Sequence, residues 1–395
     1  MRRARLLPLS RGGVLTPRES AGVRLMLPRN YARHLDWSVL LCALGLALTG
    51  LAFIYTMSWI EGMRRPLLHY FIQQSVWLCV AAAAAYGFLA LDYKLWTRVS
   101  WVVYLVNIAL LAVLLVIGRK THGASSWFSL GLMKFQPSEV TKIFFIITFA
   151  HFLARYTPEL NRPWVLGMAA LQFAVPFGLI VLQPDMGTAV VYVAIFAGML
   201  FVAGLDGVRI VIAGAVALSA AIVALPLALK GYQMERLLQF LHPTSDAAGS
   251  GWQLHQAHVA MGSGGVFGKG LFHGSQAALG FLPAAHTDFI FAAIVEQAGL
   301  AGGLAVLAMF LILLYRIMRI SLLAEDMFAT CIGAGVFSMI AFQVVINLGM
   351  TVGFLPITGI TLPFVSYGGS SLITSFAATA LALNISVRRK KLMFS

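Results

Sequence analysis

Polar positions are short interruptions in a mostly apolar chain. Ten apolar segments cover about 37–57, 70–91, 99–117, 137–155, 164–182, 188–204, 209–228, 287–315, 327–350 and 365–387. Runs of roughly 20 apolar residues match a helix crossing the ~30 Å hydrocarbon core of a bilayer. A membrane β-barrel would show alternating segments of about 10 residues, and the chain does not read that way. The pattern predicts an all-α polytopic membrane protein of about ten transmembrane helices. The fifth and sixth segments meet at a tight polar break, Gln183-Pro184-Asp185-Met186-Gly187.

Composition agrees. Of 395 residues, 60% are hydrophobic and 11% charged, whereas a soluble domain carries about 25% charged residues. The net charge of +14 would suggest nucleic acid in a soluble protein. No basic patch interleaved with aromatics supports that, so no nucleic-acid partner is expected. The positive-inside rule accounts for the charge better. With the amino terminus in the cytoplasm, Lys94, Arg98, Arg155, Arg162, Arg209, Arg316, Arg319 and the terminal Arg-Arg-Lys-Lys all fall inside, and both termini are cytoplasmic. Residues 1–36 then form a basic tail with eight arginines. Residues 37–387 form one membrane domain, and 388–395 a basic tail. The outer loops run over 118–136, about 229–285 and 351–364. No cleavable signal is expected, and Met26 is an alternative start. Cys42, Cys79 and Cys331 fall inside spans and read as small buried hydrophobes.

The glycine-rich MGSGGVFGKG (261–270) fits neither phosphate-loop pattern and reads as a compact turn-rich loop. His255 and His258 have i,i+3 spacing, but no Cys or carboxylate completes a zinc set. Three ionisable positions remain. Pro137 suits a first helical turn, and Glu139 and Lys142 then share one helix face. They form either a local ion pair or a positive group facing a polar cavity. Arg236 is either an interfacial arginine that snorkels or an anion clamp. Asp288, after His286 and Thr287, sits where a span begins. Either Thr287 caps that helix and the dipole favours Asp288, or Asp288 is a partly desolvated carboxylate suited to general-base work. Glu296 lies about 12 Å further along such a helix, too far to share a proton with Asp288. It needs another partner.

Five separated motifs in order, covering nearly the whole chain from Trp37, resemble the SEDS family of bacterial cell-wall glycosyltransferases. They are FQPSEVTK (135–142), QPDMGT (183–188), GSGGVFGKG (262–270), LPAAHTDFIF (282–291) and INLGMTVGFLPITGITLPFVSYGGSS (346–371). GRKTHGASSWFSLG and FGKGLFHGSQ look more like the elongation (RodA) members than the division (FtsW) members. The resemblance implies the SEDS fold in the bacterial inner membrane. It implies polymerisation of lipid II, a disaccharide-pentapeptide on undecaprenyl pyrophosphate, at the outer face. Implied partners are a class B penicillin-binding transpeptidase, the elongation machinery and membrane lipid. The family's essential carboxylate maps to Asp288, and its polar positions to Glu139, Lys142, Arg236, Lys269, Gln276 and Ser366, with His286 and Thr287 beside the aspartate. The family usually has Glu where this chain has Ala284, and often a second Glu where it has Gln297.

The expected chemistry is inverting attack by a sugar 4-hydroxyl. Asp288 would take its proton, while Lys142, Arg236 and Lys269 stabilise the departing pyrophosphate. A divalent cation such as Mg or Mn could share that work, with no metal ligands identifiable. A lipid II flippase and a non-catalytic scaffold for the transpeptidase are the competing readings. Broken helices in matching halves would favour transport, and the sequence shows only the break at Gln183-Pro184.

Overall fold

The structure, a computed structural model, describes residues 35–59, 68–117, 119–121, 124–130, 133–212, 214–215, 250–278 and 280–388. The helices that follow the apolar segments are α1 (Trp37–Ser58), α2 (His69–Ala90), α3 (Leu95–Ile117), α4 (Pro137–Tyr156), α5 (Pro163–Leu182), α6 (Met186–Val202), α9 (Ile290–Leu322), α10 (Met327–Thr351) and α11 (Gly369–Arg388). Eight of these are long and apolar enough to cross a membrane, and Met186–Val202 is a shorter apolar helix. This is an integral membrane protein with an α-helical bundle. The seventh predicted segment, 209–228, lies mostly outside the described residues, as does Arg236.

Two features depart from the plain-loop expectation. Residues 118–136 contain a small antiparallel sheet, β1 (Arg119–Thr121), β2 (Ala124–Leu130) and β3 (Met133–Phe135), with Phe128 opposite Phe135 and Leu130 opposite Met133. The stretch expected to be the large outer loop contains α7 (Ser250–Gly264), packed on α9, and the short α8 (Ser275–Ala278).

Central in the bundle is α11, which packs against α1, α2, α4, α9 and α10. Its sequence GSSLITSFAATALALN is rich in Gly, Ala, Ser and Thr, the residues that let helix backbones approach closely in a membrane. A methyl group added to Gly369 would lie 2.2 Å from the Trp77 ring. At the far end of α11, Asn384 donates to the carbonyls of Phe88, Leu89 and Leu91. It thereby satisfies acceptors that the end of α2 leaves open. The expectation that all three cysteines are buried holds for Cys331, while Cys42 is half-buried and Cys79 exposed. Cys79 faces outward because α2 is peripheral to the bundle.

Ion pairs and hydrogen bonds define the basic end. Arg316 pairs with Asp36 at 2.6 Å, Arg388 with Asp92 at 3.5 Å, and Tyr93 donates to Asp326 at 2.8 Å. Arg209 donates to Asn161 at 3.1 Å, which puts the chain after α6 at the turn between α4 and α5. The described chain thus starts and finishes at one end of the bundle. Residue 209 is at this end and α9 starts at the other.

Candidate functional site

At the opposite end, α4, α6 and α11 begin and α10 finishes. Gln136 is extended and Pro137 opens α4, as its fixed φ favours. Asp185 caps α6. Its carboxylate accepts from Thr188 N (3.1 Å), Thr188 Oγ1 (2.9 Å), Gln136 Nε2 (2.8 Å) and Ser138 Oγ (3.0 Å). The QPDMGT and FQPSEVTK motifs are therefore one structural joint, and Asp185 is its hub. Glu139 and Lys142 form the local ion pair, one of the two alternatives their spacing left open, with Nζ and Oε2 2.6 Å apart. The contact is off hydrogen-bonding alignment, and Lys142 is fully buried.

The segment 283–289 is a series of turns organised by one carbonyl. Ala284 has φ 52, and its oxygen accepts from the N–H groups of Thr287, Asp288 and Phe289. The helix starts only at Ile290, with no side chain capping it, so of the two readings the Thr287 cap is not formed. Thr287 Oγ1 instead donates to the carbonyl of Ala284 at 3.2 Å. The chain needs the extra turns to bring three successive carbonyls against α10 and the segment 352–368. His286 O accepts from Tyr367 N (2.8 Å), Thr287 O from Ser366 Oγ (2.6 Å) and Asp288 O from Asn347 Nδ2 (3.1 Å). Ser366 is buried and its Oγ also accepts from Leu362 N. Gln74 of α2 donates to Ser366 O and accepts from Gly368 N.

Asp288 itself is half-buried. A methyl group added to Gly359 would lie 3.8 Å from its Oδ2. Thr358 and Ile360, on either side of Gly359, pack on Gly187 beside the Asp185 joint. The segment 358–361 thus connects the Asp288 turn to the start of α4. Two residues before Asp288, His286 joins a cluster of rings. Tyr70 and His286 have centroids 4.3 Å apart, and Tyr367 lies 5.1 Å from Tyr70 and 5.5 Å from His286. Burial, with His69 adding to it, pushes the His286 imidazole down to about 4. It is neutral at physiological pH.

The structure also reports a break that the sequence reading missed. Gly299, inside α9, has φ 72 and ψ −175. The glycine-rich motif fills the gap. Lys269 N and Gly270 N donate to the carbonyls of Glu296 and Gln297, while Leu300 N and Ala301 N donate to Gly265 and Val266. Irregular backbone at membrane depth survives where protein satisfies it. The glycines are needed because a Cβ on Gly268 would lie 2.1 Å from Gln297 O, and one on Gly299 2.3 Å from Val266 O. Below this, Glu296 is fully buried and finds the partner it needs in Lys269 Nζ at 3.0 Å. It also accepts from Ser275 Oγ (3.2 Å) and Gln276 N (2.9 Å). Lys269 and Gln276, expected at the substrate, are thus tied to the broken helix rather than brought to Asp288 by any contact described. Among the described residues, no three His, Cys, Asp or Glu side chains converge as metal ligands.

Comparison with known proteins agrees with this architecture. The cell cycle protein family model FtsW/RodA/SpoVE matches residues 36–391. The probable peptidoglycan glycosyltransferase FtsW of Trichlorobacter lovleyi is 36% identical over 378 residues, 93% of this chain and 97% of that protein. Its counterpart in Alkalilimnicola ehrlichii is 39% identical over 363 residues, 89% of each. Stage V sporulation protein E of Bacillus subtilis is 35% identical over 358 residues, 89% of this chain and 96% of that protein. Among solved structures, a chain of a peptidoglycan synthase complex superposes with a TM-score of 0.76 at 30% identity, covering 89% of this chain and 97% of that one. The Thermus thermophilus rod shape determining protein RodA superposes with a TM-score of 0.65 at 28% identity, covering 89% and 96%. By sequence and by fold, this chain belongs to the FtsW/RodA/SpoVE (SEDS) family.

Proposed function

We propose that this chain polymerises lipid II into glycan strands at the outer face of the bacterial inner membrane, with Asp288 as general base. The observation that carries the reading is the half-buried Asp288 carboxylate on a turn whose three carbonyls are each held by another element. A base must be fixed within about an ångström of the hydroxyl it serves, and proton abstraction by a placed carboxylate is worth roughly 10²–10⁴-fold. Family membership and relatives named as peptidoglycan glycosyltransferases support this chemistry.

Lys142, steadied by Glu139, and Arg236 would offset the charge of the departing pyrophosphate. Ser366 and Thr287 would hold the main chain of the base, with His286 as a neutral wall of the pocket. Lys269 and Gln276 serve the site indirectly by neutralising and bonding Glu296. A divalent cation here would take most of its ligands from substrate phosphate and water, as magnesium commonly does.

Curated relatives bearing the FtsW name favour a division role over the elongation role that the two loop stretches resemble. Depletion in cells separates them: filaments mean division, and rounding means elongation. The partner in either role would be a class B penicillin-binding transpeptidase. The broken α9, like the break at Gln183-Pro184, is a feature found in transporters. Its backbone groups are taken up by residues 265–270 rather than offered to an ion, which favours a structural break. Detergent-solubilised lipid II added to the purified protein, alone and with its transpeptidase, tests the proposal. Polymer formed without a bilayer supports it. No polymer in either arm refutes it.

A further inference from the structure

Asn347 lies on α10 with no exposed surface. Its Nδ2 donates to Asp288 O at 3.1 Å and to Ile360 O at 2.8 Å. One hydrogen thus holds the residue proposed as base. The other holds the neighbour of Gly359, which faces the Asp288 carboxylate. The side-chain oxygen of Asn347 is buried with no hydrogen-bond partner among the described residues. An orphaned buried acceptor costs about 1–3 kcal/mol. Leucine, with the same branched skeleton and a somewhat larger volume, would avoid that cost in an apolar helix. What leucine lacks is the pair of donors.

We infer that Asn347 is a positioning residue that sets the distance between the Asp288 carboxylate and the segment 358–361. The inference rests on the reading of Asp288 as general base. Asp288 precedes the regular part of α9, so no completed helical turn fixes it. Its N–H bonds Ala284 O within the turn, while its carbonyl is held from outside, by the side chain of Asn347. Thr351, one turn further on, donates to Asn347 O and lies buried at the end of α10. The clamp therefore sits in the last ordered turns of that helix, where a rigid element meets the loop.

The test compares Asn347→Leu and Asn347→Ser with the intact chain and with Asp288→Asn, all purified in detergent and assayed on lipid II. Activities are expressed per folded molecule, from the monodisperse fraction on size exclusion. Gln343→Leu, which removes another buried amide one turn along α10, controls for loss of an amide as such. A base displaced by about an ångström loses on the order of 10²-fold in rate. The expected result is a 10- to 100-fold lower kcat for Asn347→Leu, with KM for lipid II within about twofold. Asn347→Ser, which keeps one donor, should fall between, and Gln343→Leu should keep its kcat. If Asn347→Leu does not fold, Asn347→Ser decides. Wild-type kcat per folded molecule in the Asn347 variants, beside an inactive Asp288→Asn, overturns the positioning role alone. An equal kcat loss in Gln343→Leu overturns it too. Full activity of Asp288→Asn would instead remove the base, and the positioning role with it.

Discussion

Lys269→Ala removes the cation that faces the buried carboxylate of Glu296 at 3.0 Å. Breaking a fully buried pair costs about 3–5 kcal/mol, because a charge stays in a medium that solvates it poorly. The Lys269 side chain keeps 29% of its surface exposed, so solvent already screens part of the interaction, and about 2–3 kcal/mol is the better figure. Glu296→Gln keeps the size and an acceptor for Ser275 and Gln276 while removing the charge. In that background the lysine has little left to neutralise. The double variant should therefore be more stable than the summed single losses require, by about 1–2 kcal/mol. Thermal unfolding of the four purified proteins in one detergent, at one scan rate, reads this directly. Polymerisation should follow stability, with the double variant more active than Lys269→Ala. The reasoning is refuted if the two losses simply add. It is also refuted if Lys269→Ala keeps its stability and loses activity, because the amine would then act on substrate and not on Glu296.

Three further outcomes follow from the same geometry. Gly299→Ala forces a Cβ to within 2.3 Å of Val266 O at a backbone φ of 72, so it should sharply lower the yield of monodisperse protein; full yield would contradict the packing described. Asp185→Ala removes a helix cap and leaves Gln136, Ser138 and Thr188 without their shared acceptor; a loss of about 2–4 kcal/mol is expected, seen as a lower melting midpoint with kcat per folded molecule little changed. His286, held near 4 in the folded protein, binds its proton more readily when unfolded, at about 6.5. Stability should therefore fall as pH drops through that window and level off below it, by about 3 kcal/mol in total. His286→Gln should flatten this dependence in melting measured from pH 7 to pH 4.

How far the sequence carried these conclusions depended on the range of the interactions. Pro137 marked the start of α4 correctly, because proline's fixed φ is a local property. Glu139 and Lys142 paired as their i,i+3 spacing implies. Thr287 left two readings open for the complementary reason. It has the composition of a cap, but the helix start was decided by Ser366, Tyr367 and Asn347, which lie about 60–80 residues away in the chain. Gly299 was invisible because glycine inside an apolar run barely alters hydropathy. The residues that satisfy its broken hydrogen bonds come from the glycine-rich loop before it. The same loop read as a set of tight turns, and positive φ at Gly265, Gly268 and Gly270 bears out that half of the reading. The other half is close approach to a broken helix. Asn347, Gln74, Tyr70 and Tyr367 escaped notice as site residues, although a buried amide in an apolar span, such as Asn347, is the kind of costly polar group that marks function in membranes.

The most direct test of the account is glycan polymerisation by purified Asp288→Asn. The substitution keeps the size of the side chain and the main-chain bonds from Asn347, Ser366 and Tyr367, while removing the proton acceptor. The account predicts a monodisperse protein with an unchanged melting profile that still binds lipid II and forms no polymer above background. Polymer at a rate near that of the unaltered chain would contradict it.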